Sequence, residues 1–234
     1  AVKELPKLPQ IVAGFSKEAI DNASDLFKIV SKKIILAKMG EAELVKLFSN
    51  SWRYIQFAIA NQFYMMSNDS GNDYDKIRDI MIDGYDRAEG LPTAGFAAGP
   101  CLLKDTMQLS SFYDSHFLLG QAAMNINEGL PNYIIKGLKT EFNLSKKKVG
   151  ILGMAFKGNV DDIRDSLSFK IGKILRFEGS KVYYSDEYAK NKDFCSKEIL
   201  IEKSDIIIIG SPHSNYKNIK IPEGKKIIDL WNII

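Results

Sequence analysis

The stretch Gly95-Phe96-Ala97-Ala98-Gly99-Pro100-Cys101-Leu102-Leu103-Lys104-Asp105 is the part of the sequence best suited to chemistry. Its small residues let a backbone come close to a ligand, and Cys101 stands where a helical pattern begins. A helix N-terminus offers a thiolate oriented N–H donors and the positive end of the helix dipole, and the same donors can hold an oxyanion. Lys104 adds positive potential, and Asp105 falls one turn beyond the thiol. A free cysteine here also reads as a small buried hydrophobe, which is what most free cysteines are.

Two further groups could serve such a thiol. Lys46 and Asn50 are four apart within an otherwise apolar helical run, so they share one face. They would aim at a substrate or simply form a solvated stripe. In Gly153-Met154-Ala155-Phe156-Lys157-Gly158, followed by Asp161-Asp162-Ile163-Arg164-Asp165-Ser166, a glycine follows a strand-like run and suits a phosphate. Neither G-x-G-x-x-G nor G-x-x-x-x-G-K-[ST] is present there. Asp186, at another strand end, would hold a ribose or cap a turn.

Three regions must position these residues. In residues 1–40, Gln10–Phe15 and Lys33–Ala37 read as strands around a helix from Lys17 to about Val30, with Ser16 as its N-cap. This strand–helix–strand piece cannot close a core alone and reads as the tail of a larger α/β domain. Residues 41–144 are helical: a long helix from Ala42 to about Ser67, a shorter one around Asp73–Ile82, and a Gly/Pro-rich loop from Gly84 to Pro100. A helical pair from Leu102 to about Phe142 follows, expected to break near Gly129-Leu130-Pro131. A helix as long as the first, apolar on several sides, suits a subunit interface and predicts a homodimer. In residues 145–234 the pattern becomes strand-like at Lys148–Gly153, Lys181–Asp186, Asp205–Gly210 and Lys226–Leu230, with a helix from about Ser166 to Phe177. The fold class is therefore α/β: an all-helical central region followed by a small doubly wound parallel sheet, Rossmann-like, whose ligand edge carries Gly153–Lys157, Asp186, Ser211-Pro212-His213 and Asp229.

Composition excludes several alternatives. A net charge of +3 with only the Lys146-Lys147-Lys148 run gives no electrostatic footprint for nucleic acid. No apolar run reaches the roughly 20 residues a bilayer span needs. Cys101 and Cys195 are too few for a disulfide framework, which points to a reducing cytoplasm. His116 and His213, far apart and without a cysteine cluster, make no zinc site. Residues 1–4 lack a signal-peptide core, and the absence of an initiating Met suggests a fragment or a processed chain.

In this order, the Lys46-x-x-x-Asn50 helix, the Gly95–Asp105 cysteine loop and Gly153-x-x-Phe156-Lys157 with Asp161-Asp162-x-Arg164-x-Ser166 resemble the UDP-glucose/GDP-mannose dehydrogenase family over nearly the whole chain. The cysteine loop looks closest to the branch that oxidises UDP-N-acetylhexosamines such as UDP-N-acetylmannosamine or UDP-N-acetylglucosamine. The resemblance implies an NAD-dependent oxidoreductase for polysaccharide precursors, which converts the sugar's C6 alcohol to a carboxylate in two hydride transfers. By resemblance Cys101 is the nucleophile, Lys46 stabilises the oxyanion, Asn50 orients the sugar and Asp105 positions water. Phe156, Lys157, Arg87, Phe96 and Gly99 fall to the UDP-sugar, with Arg87 reaching across the dimer. Arg164 and Lys104 fall to the cofactor.

The sequence departs from the family in lacking the glycine-rich N-terminal dinucleotide-binding domain, so the chain is expected to be inactive alone. It also has Trp231 close to where some relatives carry an arginine. Two competing readings are a non-catalytic dimerisation and nucleotide-sugar-binding module with an inert Cys101, and a thiol hydrolase pairing Cys101 with His116 or His213.

Overall fold

The computed structural model describes residues 5–234; the opening residues 1–4, read above for a signal-peptide core, lie outside that range. The chain divides into two compact units, Ala1–Asn50 and Ser51–Ile234. In the first, β1 (Gln10–Val12) and β2 (Ile34–Leu36) pair in parallel, joined by α1 (Lys17–Lys28). Ser16 caps α1 as expected, its side chain accepting the Ala19 N–H at 3.1 Å. Parallel strands are ordinarily covered on both faces. Here much apolar surface stays open: Phe15 is 95%, Ile29 80% and Leu36 63% exposed.

Helix α2 (Met39–Asp69) is the expected long helix, extended by a few residues at each end to 31. In the second unit, α3 (Tyr74–Ile82) starts behind Asp73, whose carboxylate accepts the Asp75 and Lys76 N–H groups. The loop to Pro100 contains one short 3-10 turn, Asp86–Ala88. The helical pair then follows, α4 (Leu102–Phe112) and α5 (Leu118–Glu141), but not with the expected break. The chain turns at 113–117 through Asp114 and Ser115, both left-handed (φ 45° and 60°), while α5 runs straight through Pro131. An interior proline costs about 3 kcal/mol. Leu130, Ile134, Ile135 and Leu138 on the same helix are buried, each contributing roughly 1.5–3 kcal/mol, so packing outweighs the missing hydrogen bond.

Strands β3 (Lys148–Leu152), β4 (Lys181–Ser185), β5 (Ile206–Ile209) and β6 (Lys226–Asp229) form the expected parallel sheet, in the order β4-β3-β5-β6. Alternate side chains serve opposite faces. Val149, Ile151, Ile206 and Ile208 join Leu130 to Leu138 of α5 and Leu167, Ile171 and Leu175 of α6 (Leu167–Phe177). Leu152, Ile207 and Ile209 pack with Leu200 and Ile201 of α7 (Lys197–Lys203), a helix the sequence reading leaves unassigned. The chain leaves β3 for β4 on one side and returns to β5 on the other. The switch point therefore lies between the loops after β3 and β5, where doubly wound sheets take their ligands.

Candidate active site

Cys101 is the N-cap residue of α4 and is solvent-exposed, so it is not a buried hydrophobe. Its thiol makes no capping hydrogen bond, and its carbonyl accepts the Asp105 N–H at 2.9 Å. One turn on, Asp105 is almost fully buried and binds the Lys104 ammonium at 2.6 Å. Asp105 and, more weakly, Cys101 raise the Lys104 ammonium above its ordinary range. Asp162 does the same for the Arg164 guanidinium, which it holds at 2.6 Å, again with a smaller push from Cys101. Both cations are exposed, each paired with its carboxylate.

The loop before the thiol is pinned at both ends. At Gly95, the fully buried Asn61 of α2 accepts the backbone N–H at 2.8 Å and donates to the carbonyl at 3.0 Å. The same amide donates to Asn127 Oδ1 at 2.9 Å, and Asn127 donates to the Tyr54 carbonyl. The Trp231 ring lies so close to the Gly95 Cα that no side chain fits there. At Gly99 the backbone is left-handed (φ +105°), the N–H reaches the Asp165 carbonyl at 3.3 Å, and the Phe156 ring lies where a Cβ would stand. Phe156 and Gly99 thus join the strand-end loop after β3 to the thiol loop.

The remaining candidates are placed less uniformly. Lys157 is exposed beside Phe156, whereas the Phe96 side chain is buried in the main core. Arg87 sits exposed in the Asp86–Ala88 turn. Lys46 and Asn50 lie in the part of α2 belonging to the first unit, Lys46 exposed and Asn50 half-buried. A cavity of about 630 Å3 opens beside Gly99 and Pro100, lined by Lys104 and Met107 of α4 and by Ser166 and Lys170 at the start of α6. That volume falls in the range of small-molecule sites.

On the strand-end edge, Asp186 does what the turn-capping alternative requires. Its Oδ1 accepts the Tyr188 and Ala189 N–H groups, and its Oδ2 accepts those of Met154 and Ala155 and faces His213 Nε2 at 3.1 Å. A ribose finds no free oxygen there. Both His213 ring nitrogens are engaged, since Nδ1 accepts the Asn159 N–H at 2.9 Å. His116 stacks edge-on against Tyr113. His213 therefore has no nitrogen left to activate a thiol, which counts against the thiol-hydrolase reading. Asn61 and the Asp186–His213 pair escape the sequence reading, because their partners lie 34 and 27 residues away.

A helical central region leading into a parallel-sheet domain is the arrangement of the solved nucleotide-sugar dehydrogenases on which this chain superposes. Residues 40–129 match the central domain and residues 150–234 the UDP binding domain of the UDP-glucose/GDP-mannose dehydrogenase family. The chain belongs to that family. It is 30% identical over 226 residues to a UDP-N-acetyl-D-mannosamine dehydrogenase of Methanococcus maripaludis, covering 94% of this chain and 52% of that protein. A Pyrococcus horikoshii enzyme of the same name is 32% identical over 246 residues, covering 99% and 58%. The solved structure of a UDP-D-ManNAc dehydrogenase from P. horikoshii superposes with a TM-score of 0.86 at 30% identity, covering 99% of this chain and 58% of that one. A UDP-glucose dehydrogenase from Pyrobaculum islandicum gives 0.85 at 25%, covering 96% and 55%. The chain thus spans just over half the length of the relatives it matches.

Proposed function

We propose that this chain carries the thiol and the UDP-sugar half of an NAD-dependent UDP-sugar 6-dehydrogenase, with a UDP-N-acetylhexosamine as substrate. The observation that carries the reading is the exposed Cys101 thiol at the start of α4, on a loop tied through Gly99 to Phe156. Loss of a hydride and a proton turns the C6 alcohol into an aldehyde. Cys101 Sγ then adds to that carbonyl and forms a thiohemiacetal, which can lose a second hydride where a free aldehyde cannot. The N–H groups of the first α4 turn face the oxygen of this adduct. Loss of the second hydride and a proton leaves a thioester, which water cleaves to the carboxylate, returning the thiol.

In this scheme Asp105 positions the water, Lys46 balances the oxyanion and Asn50 orients the sugar. Phe156, Lys157, Arg87, Phe96 (through its backbone) and Gly99 hold the nucleotide sugar. Two molecules of a nicotinamide dinucleotide, bound one after the other, would supply the acceptors for the two hydrides. The exposed cations Lys104 and Arg164 fit its phosphates, while its main binding domain belongs to the length the relatives have in addition. The open apolar surface of the first unit supports its reading as the end of that domain.

Trp52, Ile59, Phe63 and Met66 are exposed along α2 at helical spacing, which supports a homodimer built on this helix. Among the described residues, no helix is long and apolar enough to cross a membrane. The family resemblance extends this reading to a cytoplasmic enzyme of polysaccharide precursor synthesis.

The nucleotide reading is tested by calorimetry. The chain is expected to bind UDP, and Lys157→Ala to weaken binding about tenfold or more, the scale of one lost charge-assisted hydrogen bond. Equal affinity in the variant would remove Lys157 from the site.

A further inference from the structure

The loop after β3 that carries Phe156 and Lys157 is held by a side chain 54 residues away. The Asn159 N–H donates to His213 Nδ1, so the ring's own proton sits on Nε2 and points at Asp186 Oδ2. Both side chains are completely buried, and the imidazole lies between the rings of Tyr188 and Tyr216, with centroids 4.9 and 5.3 Å away. Asp186 meanwhile receives the N–H groups of Met154 and Ala155 at the other end of the same loop. Burial opposes its ionisation, but His213 and the backbone donors prevail and keep the carboxyl well below the usual carboxylate range. A second bridge comes from Asn159 itself, left-handed at φ 59°, whose Oδ1 accepts the Ser214 N–H at 2.9 Å and hydroxyl at 3.0 Å. Residues 154–159 are thereby fastened at both ends to the loops after β4 and β5.

We propose that His213, seated on Asp186, is a positioning residue that fixes the Phe156–Lys157 loop in its ligand-binding shape by accepting the Asn159 amide. This rests on the reading that the loop binds the UDP moiety. A preformed loop binds without first losing conformational freedom, so releasing it weakens affinity even though every contacting residue is still present.

The two ring nitrogens can be tested separately. Asparagine at 213 keeps an oxygen close to the Nδ1 position, whereas glutamine keeps an N–H donor close to Nε2 and loses the acceptor. His213→Gln should weaken UDP binding about tenfold and speed hydrogen exchange at the Asn159 amide, while His213→Asn should restore both toward wild type. Asn159→Gly keeps the amide and the left-handed backbone but loses the Ser214 bridge. It should shift both readings in the same direction without touching the histidine.

Wild-type affinity and exchange in both His213→Gln and Asn159→Gly would overturn the latch. So would a His213→Asn variant as impaired as His213→Gln, since that would mark the ring as packing alone. Wild-type protein that fails to bind UDP would instead overturn the nucleotide reading, and with it the loop's role in binding.

Discussion

Replacing Asn61 with leucine is expected to cost about 3–5 kcal/mol of folding stability, because each buried polar group left without a partner costs about 1–3 kcal/mol. The substitution keeps the branched side-chain shape, in a somewhat larger residue, but strands the Gly95 N–H, the Gly95 carbonyl and Asn127 Oδ1 in a fully buried place. Asn127→Leu should cost less. It removes one partner of Asn61 and a donor to the Tyr54 carbonyl, and leaves both Gly95 bonds in place. Urea denaturation of the two variants measures the order. If Asn127→Leu proves equal or worse, the anchor of the thiol loop lies elsewhere than Asn61. Because that loop leads into Cys101, Asn61→Leu should also change the rate at which the thiol is alkylated, at temperatures where the protein is still folded.

Gly99→Val is expected to be comparably damaging for a different reason. A β-branched residue at φ +105° costs about 1–3 kcal/mol in backbone strain alone. Its Cβ would also stand 2.6 Å from the Phe156 Cδ2 and 2.9 Å from Cε2, atoms of a rigid ring that cannot yield at its tip. The two costs separate in a double-mutant cycle. Phe156→Ala should relieve the ring clash but not the backbone strain, so the pair together should cost less than the sum of the single variants. Strict additivity would mean that the ring and the thiol loop are not in contact. Nucleotide affinity should fall with Gly99→Val as well, since displacing Phe156 moves the loop that carries Lys157.

The features legible in the sequence are those whose signal is local. Small residues around a cysteine at a helix start, four consecutive isoleucines in β5, and Ser16 ahead of α1 each declare themselves within a few positions. The sheet's parallel character followed from strands alternating with a helix and lacking face alternation. Local rules misplaced the break in the helical pair, because Pro131 is a strong local stop signal while the burial that overrides it comes from the distant sheet. Asp114 and Ser115, which do turn the chain, are ordinary polar residues whose left-handed backbone nothing in their neighbourhood announces.

The supports of the candidate site were illegible for the same reason. Asn61 reads as one polar residue in an apolar helix until Gly95 is seen against it. His213 reads as a lone histidine on a strand-end edge until Asp186 and the Asn159 amide close around it. Trp231, noted in the sequence as a departure from some relatives, shows its place only as the ring filling the space above Gly95. The thiol and the two exposed cations are marked in the sequence; the parts that hold them still are marked only in three dimensions.

The central claim is that Cys101 faces the bound sugar of a UDP-sugar, and alkylation kinetics followed by mass spectrometry test it on the chain itself. Cys101 is exposed and Cys195 is half-buried with its Sγ against the Tyr184 carbonyl, so Cys101 should react first. UDP-N-acetylmannosamine at ten times its dissociation constant should slow Cys101 alkylation about tenfold and leave Cys195 unchanged. An alkylation rate at Cys101 that does not respond to a nucleotide sugar the protein demonstrably binds would contradict the account, because the thiol would then lie outside the pocket it is said to serve.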